Sequence, residues 1–214
     1  MIDYDKEFLK WRDEAKALHP KSADDVPEKL QKEFQKLMYL SPFLLREIFG
    51  SDPEAMRQLL YTCLSEKEYF DETGKPLTVK KVETDRTFHS PITGVEVCVP
   101  LYAEDDRNRC FAIQHCDWRG PNVRTDAAIF DTLHYACRKK GLPEAAFPEV
   151  YLIHLTDYDL SRQGEPILRL DHSEDEMKDL TPEEWRIRGC DPDEPEPLMA
   201  KFHVILFNAT MTMD

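Results

Sequence analysis

The stretch CFAIQHCDW, Cys110 to Trp118, decides how the rest of the chain is read. Its first half is apolar and rich in strand-forming residues. The charged turn EDDRNR (104–109) precedes it, and GVEVCVPLYAE (94–104) comes before that. This second run carries apolar and polar residues in near alternation, as a half-buried strand does. Two such runs joined by a short polar turn predict a β-hairpin, and TVKKVETDRTF (78–88) reads as a further strand. Residues two apart on a strand share a face, so Gln114 and Cys116 point one way and His115 the other.

Working outward, RGPNV is a loop and residues 124–140 are a helix with Ala128, Phe130, Leu133, His134 and Cys137 broadly on one side. Gly141 is its stop. EVYLIHLTD is apolar enough for a strand buried on both faces. LSRQGEPILRL reads as a turn and a short strand, and KFHVILFNA as the last strand. Between them DHSEDEMKDLTPEEWRIRGCDPDEPEPL is acidic and proline-rich, an excursion with a short helix at Thr181 to Ile187 opened by a capping box. Upstream, Phe8, Trp11, Ala15 and Leu18 mark one apolar helix face, and Leu30, Phe34, Leu37 and Met38 a second. A third helix runs from Phe43 to Phe49 with Gly50 as its C-cap. A fourth is opened by Ser51 or Asp52, with Pro53 in its first turn. The order predicts an α/β protein: a mixed sheet flanked by helices (residues 41–214) behind a helical extension (1–40).

Composition narrows the classes. The 214 residues include 42 acidic and 28 basic ones, a formal charge of −14. Such a surface repels nucleic acid at long range, which counts against tight non-specific DNA binding while leaving room for a small cleft. Arg138, Lys139 and Lys140 form one local basic run. The six cysteines, at 63, 98, 110, 116, 137 and 190, form no C-x-x-C pair and match no zinc-ribbon spacing. The N-terminus has no apolar signal region, and no apolar run is long enough to span a bilayer, so the expectation is a reducing cytoplasm.

Over roughly residues 40–210 the chain resembles the PD-(D/E)XK nuclease family transposases, the recombination-promoting nucleases. PFLLREIFGSD resembles the family's opening helix, TGVEVCVPLYAED its first catalytic strand and RTDAAIFDTLHY its arginine-led helix. FPEVYLIHLTDYDLSRQGEPI followed by FHVILFNA is similar in wording and spacing to its later strands. The resemblance implies a restriction-endonuclease-like fold and a Mg²⁺- or Mn²⁺-dependent DNA endonuclease linked to transposition and recombination. In that chemistry an Asp on one strand and a Glu two residues before a Lys or Gln on the next hold the metal, which activates water.

At those positions this chain departs from the pattern. Cys98 stands at the aspartate, Gln114 at the glutamate, Cys116 at the Lys or Gln, and Pro42 at an early acidic position. Arg124 and Asp131 match the family's helix, with Arg124 a candidate phosphate ligand. A neutral Gln oxygen is a weak substitute for a carboxylate, and thiols are too soft for Mg²⁺. Glu96 and Asp117 are the possible substitute acids, set against the plainer reading that they, with Glu104, Asp105 and Asp106, solvate strand edges and a turn. Cys98, Cys110, His115 and Cys116 could supply zinc ligands only across a bulge. Buried cysteines acting as small hydrophobes are the plainer alternative. His154 reads as a satisfied core histidine. The expectation is therefore an impaired nuclease, with DNA as partner only if it is active. The alternative is a non-catalytic binding or regulatory module acting through a protein partner or as a homodimer, with no cofactor.

Overall fold

The computed structural model describes residues 2–18, 22, 25–116, 121–159, 164–169 and 201–211. The expected helix at Thr181 to Ile187 lies outside them, as do Asp117 and Cys190. Helix α1 (Tyr4–Ala17) is capped by Asp3, whose carboxylate accepts from the Lys6 N–H. Helix α2 (Glu28–Leu40) follows, then α3 (Pro42–Phe49), capped by Ser41. Asp52, not Ser51, caps α4 (Pro53–Cys63), with Pro53 in the first turn where its missing N–H costs nothing. A single-turn α5 (Glu66–Tyr69) closes a Ser65–Glu68 capping box.

Gly50 is the C-cap of α3, as its position suggests, and its N–H donates to the Arg46 carbonyl. Its φ of −81° is ordinary right-handed backbone, so no left-handed cap is formed. A Cβ there would lie 2.3 Å from Thr84 Cγ2 and 2.4 Å from the Arg46 carbonyl oxygen. The glycine lets the end of α3 lie directly on the sheet.

Among the described residues that sheet has six strands, in the order β1-β2-β3-β4-β6-β5. Strands β1 (Val79–His89), β2 (Glu96–Asp105) and β3 (Arg109–His115) form an antiparallel meander. Helix α6 (Val123–Lys139) carries the chain to β4 (Glu149–Thr156), parallel to β3. Strand β6 (Phe202–Asn208) lies parallel to β4, and the short β5 (Ile167–Arg169) closes that edge antiparallel to β6. As the apolar run of β4 predicts, seven of its eight residues are buried.

Two cores lie on the two faces of the sheet. Leu45, Phe49, Met56, Leu59 and Leu60 of α3 and α4 pack on Leu101, Phe111, Ile113, Ile153 and Ile205. On the other face Ala128 and Ile129 of α6 pack on Ala112, Leu152 and Leu206, joined by Phe88 and Val97 from the hairpin. Fully burying such side chains contributes about 1.5–3 kcal/mol each.

The turn between β2 and β3 explains its own acids. The Asp105 carboxylate is 4% exposed, accepts from the backbone N–H of Arg107 and Arg109, and takes the Arg109 Nε–H at 2.6 Å. Arg109 donates onward to the Glu68 carbonyl, pinning the turn to α5. Asp106 accepts from the Thr78 N–H, and Glu104 pairs with Arg86 and Lys81. Asp105 is thus buried in an ion pair and does not solvate the turn, while Asp106 and Glu104 make their contacts at its surface.

The region around Pro100 holds an irregularity. Val97 and Val99 belong to the α6-side core, yet Leu101 and Ala103 belong to the opposite one and Tyr102 to the α6 side. Regular alternation cannot give that order, so β2 changes face at Pro100. Strand β1 changes with it. Asp85 has φ of 52°, while the register continues undisturbed from Arg86↔Val99 to Thr84↔Leu101. Pro100 has no N–H to give, and a left-handed residue facing it in the partner strand lets both strands turn over together. Beyond this point β2 pairs with β1 alone, because β3 is joined only to Leu101–Glu104. The free end of the hairpin packs its Phe88 and Val97 side onto α6, and Ser90 Oγ donates to Asp131 of that helix at 2.9 Å.

Candidate functional site

In open α/β sheets ligands gather beyond the carboxyl ends of parallel strands. Here those ends belong to β3, β4 and β6, and the first turn of α6 stands beside them. Gln114 and His154 are register partners across β3 and β4. Both side chains reach one carboxylate. Gln114 Nε2 donates to Asp126 Oδ1 at 3.0 Å, and His154 Nε2 lies 3.1 Å from Asp126 Oδ2. Asp126 is 4% exposed and His154 1% exposed.

Local sequence places each member. Asn122 caps α6 by accepting from the Arg124 N–H, so Asp126 falls in the first turn, where the helix dipole favours a carboxylate. Ala112 and Leu152 belong to the α6-side core, and alternation sends Gln114 and His154 to that side too. The contact at His154 Nε2 is that of an N–H donating to a carboxylate, and His154 Nδ1 is buried with no hydrogen-bond partner among the described residues.

The motif positions do not converge. Cys98 lies between Val97 and Val99, which face α6, so its own side chain faces the other side, where it is exposed. Gln114 faces α6. The change of face at Pro100 separates the two. Cys116 follows β3, is partly buried, and its N–H donates to the Leu155 carbonyl. Glu96 is exposed at the start of β2, 4.0 Å from His89 across the hairpin and away from Gln114. Arg124 is exposed in the first turn of α6. Asp131 spends one oxygen on Ser90, and burial raises its carboxyl above the usual range against the pull of that hydroxyl.

The cysteine–histidine set disperses in the same way. Cys110 is buried on the α6 side, takes the Tyr102 hydroxyl at 3.1 Å and has its thiol pushed up to about 11 by burial. His115 points to the other face, as alternation predicts, with Nε2 2.8 Å from the Tyr39 carbonyl, and burial lowers its pKa. Among the described residues no three His, Cys, Asp or Glu side chains are grouped to hold a metal ion.

The donor set at the motif positions does not fit Mg²⁺. That ion takes near-octahedral oxygen ligands, preferably carboxylate. Gln114 presents its donor end to Asp126, Cys116 offers sulfur, and Cys98 is across the sheet. Asp126 was not singled out in the sequence. The signals were a lone histidine in an apolar strand, a lone glutamine at the same level of its neighbour, and an acid in the first turn of the following helix. Only the strand register joins the three.

Comparison with protein-family models finds no match, and comparisons with curated proteins and with solved structures find none either. No helix among the described residues is long and apolar enough to cross a membrane.

Proposed function

We propose that the chain is a nuclease-like scaffold of the PD-(D/E)XK kind that has lost its metal centre and no longer cleaves DNA. What supports this is the use made of Gln114. At the position the resemblance gives to a metal-binding glutamate, its amide is spent on the buried Asp126, inside a structural tie between β3, β4 and α6. The mixed sheet with helices on both faces agrees with the fold the resemblance implies. A tie of this kind holds the packing of a helix on a sheet and needs no metal to do so.

The formal charge of −14 favours a second element of the reading: retention as a binding module for a protein partner with a basic surface, DNA being repelled. The test is nicking of supercoiled plasmid by the purified protein with Mg²⁺ or Mn²⁺, beside anisotropy of a labelled duplex at moderate salt. No nicking and no duplex binding is the expected result. Chelator-sensitive nicking that disappears in Asp126→Ala or Glu96→Ala would overturn the reading and make this an active nuclease with relocated acids.

A further inference from the structure

Helix α1 is held to the rest of the fold in an unusual way. Its inward stripe, Tyr4, Asp5, Phe8, Trp11, Arg12 and Ala15, follows helical spacing, yet only Ala15 is buried. Ile2, Leu9 and Leu18, on or beside the helix, stay exposed. In α4, by contrast, Met56, Leu59, Leu60 and Cys63 are all within 1% of complete burial. Aromatic stacking supplies the middle of the α1 contact: Phe8 on Phe43, and Trp11 on Phe34 at 4.7 Å between centroids. Trp11 also donates its Nε1–H to the Leu30 carbonyl of α2 at 2.8 Å. Two further specific ties lie at the first turn, on consecutive residues. Tyr4 donates its hydroxyl to Asp157, just past the end of β4. Asp5 Oδ1 accepts from Ser41 Oγ at 2.5 Å and from the Phe43 N–H at 3.2 Å, at the start of α3.

These ties place α1 over the carboxyl end of β4, on the face away from α6. Behind it α2 is integral to the fold: Leu37 and Leu40 are buried, and Tyr39 meets Phe207 of β6 edge-on and takes His115 on its carbonyl. The outermost layer therefore rests on half-buried contacts and a polar clasp, while the layer beneath is locked into the core. Opening free energies differ across a fold, and elements with few buried contacts open first.

We propose that α1 is a cover over the carboxyl end of the sheet, clasped by Tyr4–Asp157 and Asp5–Ser41, which lifts as a unit while α2–α6 and the sheet stay folded. Lifting it uncovers Asp157, Ser41 and the Phe43 amide at the strand-end face where an α/β sheet meets its ligands.

Hydrogen–deuterium exchange of the full chain tests it, with the unaltered protein beside Tyr4→Phe and Asp5→Asn. In the unaltered protein α1 amides should exchange at least about 100-fold faster than those of β4, and the Phe43 amide, whose acceptor is on α1, should follow α1. Tyr4→Phe removes a single hydroxyl and leaves the aromatic ring, so folding is preserved; it should speed α1 exchange about tenfold, the factor for one lost hydrogen bond. Asp5→Asn should do the same for α1 and Phe43 together. Exchange in β4 should not change. Equal protection of α1 and β4, or equal acceleration of both in either variant, would overturn the proposal, since α1 would then open only with the whole molecule.

Discussion

His154 of β4 and Asp126 of α6 form a buried pair, Nε2 to Oδ2 at 3.1 Å, across 28 positions of sequence. The pair joins the crossover helix to the strand that follows it, and Gln114 draws β3 into the same carboxylate. Three elements consecutive in the chain are thus fastened at one point near the end of the sheet.

Removing the carboxylate should be costly. Asp126→Ala leaves the His154 ring and the Gln114 amide facing each other under α6 without an acceptor. The expected loss is about 1–3 kcal/mol for each buried donor left without its acceptor. Urea denaturation followed by circular dichroism reads it directly. A loss below about 1 kcal/mol would show that the cluster is solvated and not a tie.

Gln114→Glu tests the same point from the other side. Two carboxylates would then meet inside the fold where an amide now donates to one. At neutral pH the variant should lose about 1–3 kcal/mol. The sign with pH follows from like charges raising the folded-state pKa of the pair. The penalty is full above that raised value and falls away as acid protonates one member. A denaturation series from pH 7 to pH 4 should show the gap to the unaltered protein closing. A gap constant over that range would place the new carboxyl in water.

Acid lability should come from two histidines. Burial lowers His134 to about 4, with the Pro148 carbonyl opposing, and lowers His115 as well. Unfolding frees each ring to titrate near its ordinary 6.5. Their contribution is therefore complete above that value. For His134 it is lost as pH falls from about 6.5 toward 4, with a slope of about 1.4 kcal/mol per pH unit where only the unfolded form is protonated. His115 adds to the loss in the same direction. His134→Gln, which keeps a donor for the Pro148 carbonyl, should flatten the midpoint-versus-pH curve between these limits. An unchanged slope would mean that His134 is hydrated in the folded protein.

At Gly50 the expected cost is steric. A methyl group meets Thr84 Cγ2 and the Arg46 carbonyl, and φ is already ordinary, so no conformational strain enters. Gly50→Ala should destabilise by about 1–3 kcal/mol, as overpacking does. Adding Thr84→Ser, which deletes Cγ2, should recover part of that loss. Full additivity of the two changes would contradict the packing described.

Much of the architecture was legible because it rests on local patterns. The change from helical to alternating spacing near Thr78, the turn at 104–109, the helix after Asn122 and the apolar run of β4 each follow from residues within one window. Alternation also gave the opposed directions of Gln114 and His115. What escaped were contacts made by register. Asp126 lies 12 positions from Gln114 and 28 from His154, and no spacing rule joins an acid in a helix to two strands. Gly50 was legible as the stop of α3, but its close approach to Thr84, 34 residues on, was not. Pro100 and Asp85 each look unremarkable alone. Only their meeting across β1 and β2 turns the strands over, and that one event moves Cys98 to the other side of the sheet from Gln114.

The same reversal bears on how the protein keeps to itself. Among the described residues strand β1 is the long edge of the sheet, and an unbroken edge of eleven residues would offer its backbone to any other chain in extended form. Asp85, left-handed in the middle of it, divides that edge into two short runs whose donors and acceptors no longer lie in one line. Lys81, Glu83 and Arg86 add charge on either side. Among the described residues the opposite edge, β5, is three residues long. Edge-to-edge growth into fibrils is thereby discouraged at both borders of the sheet.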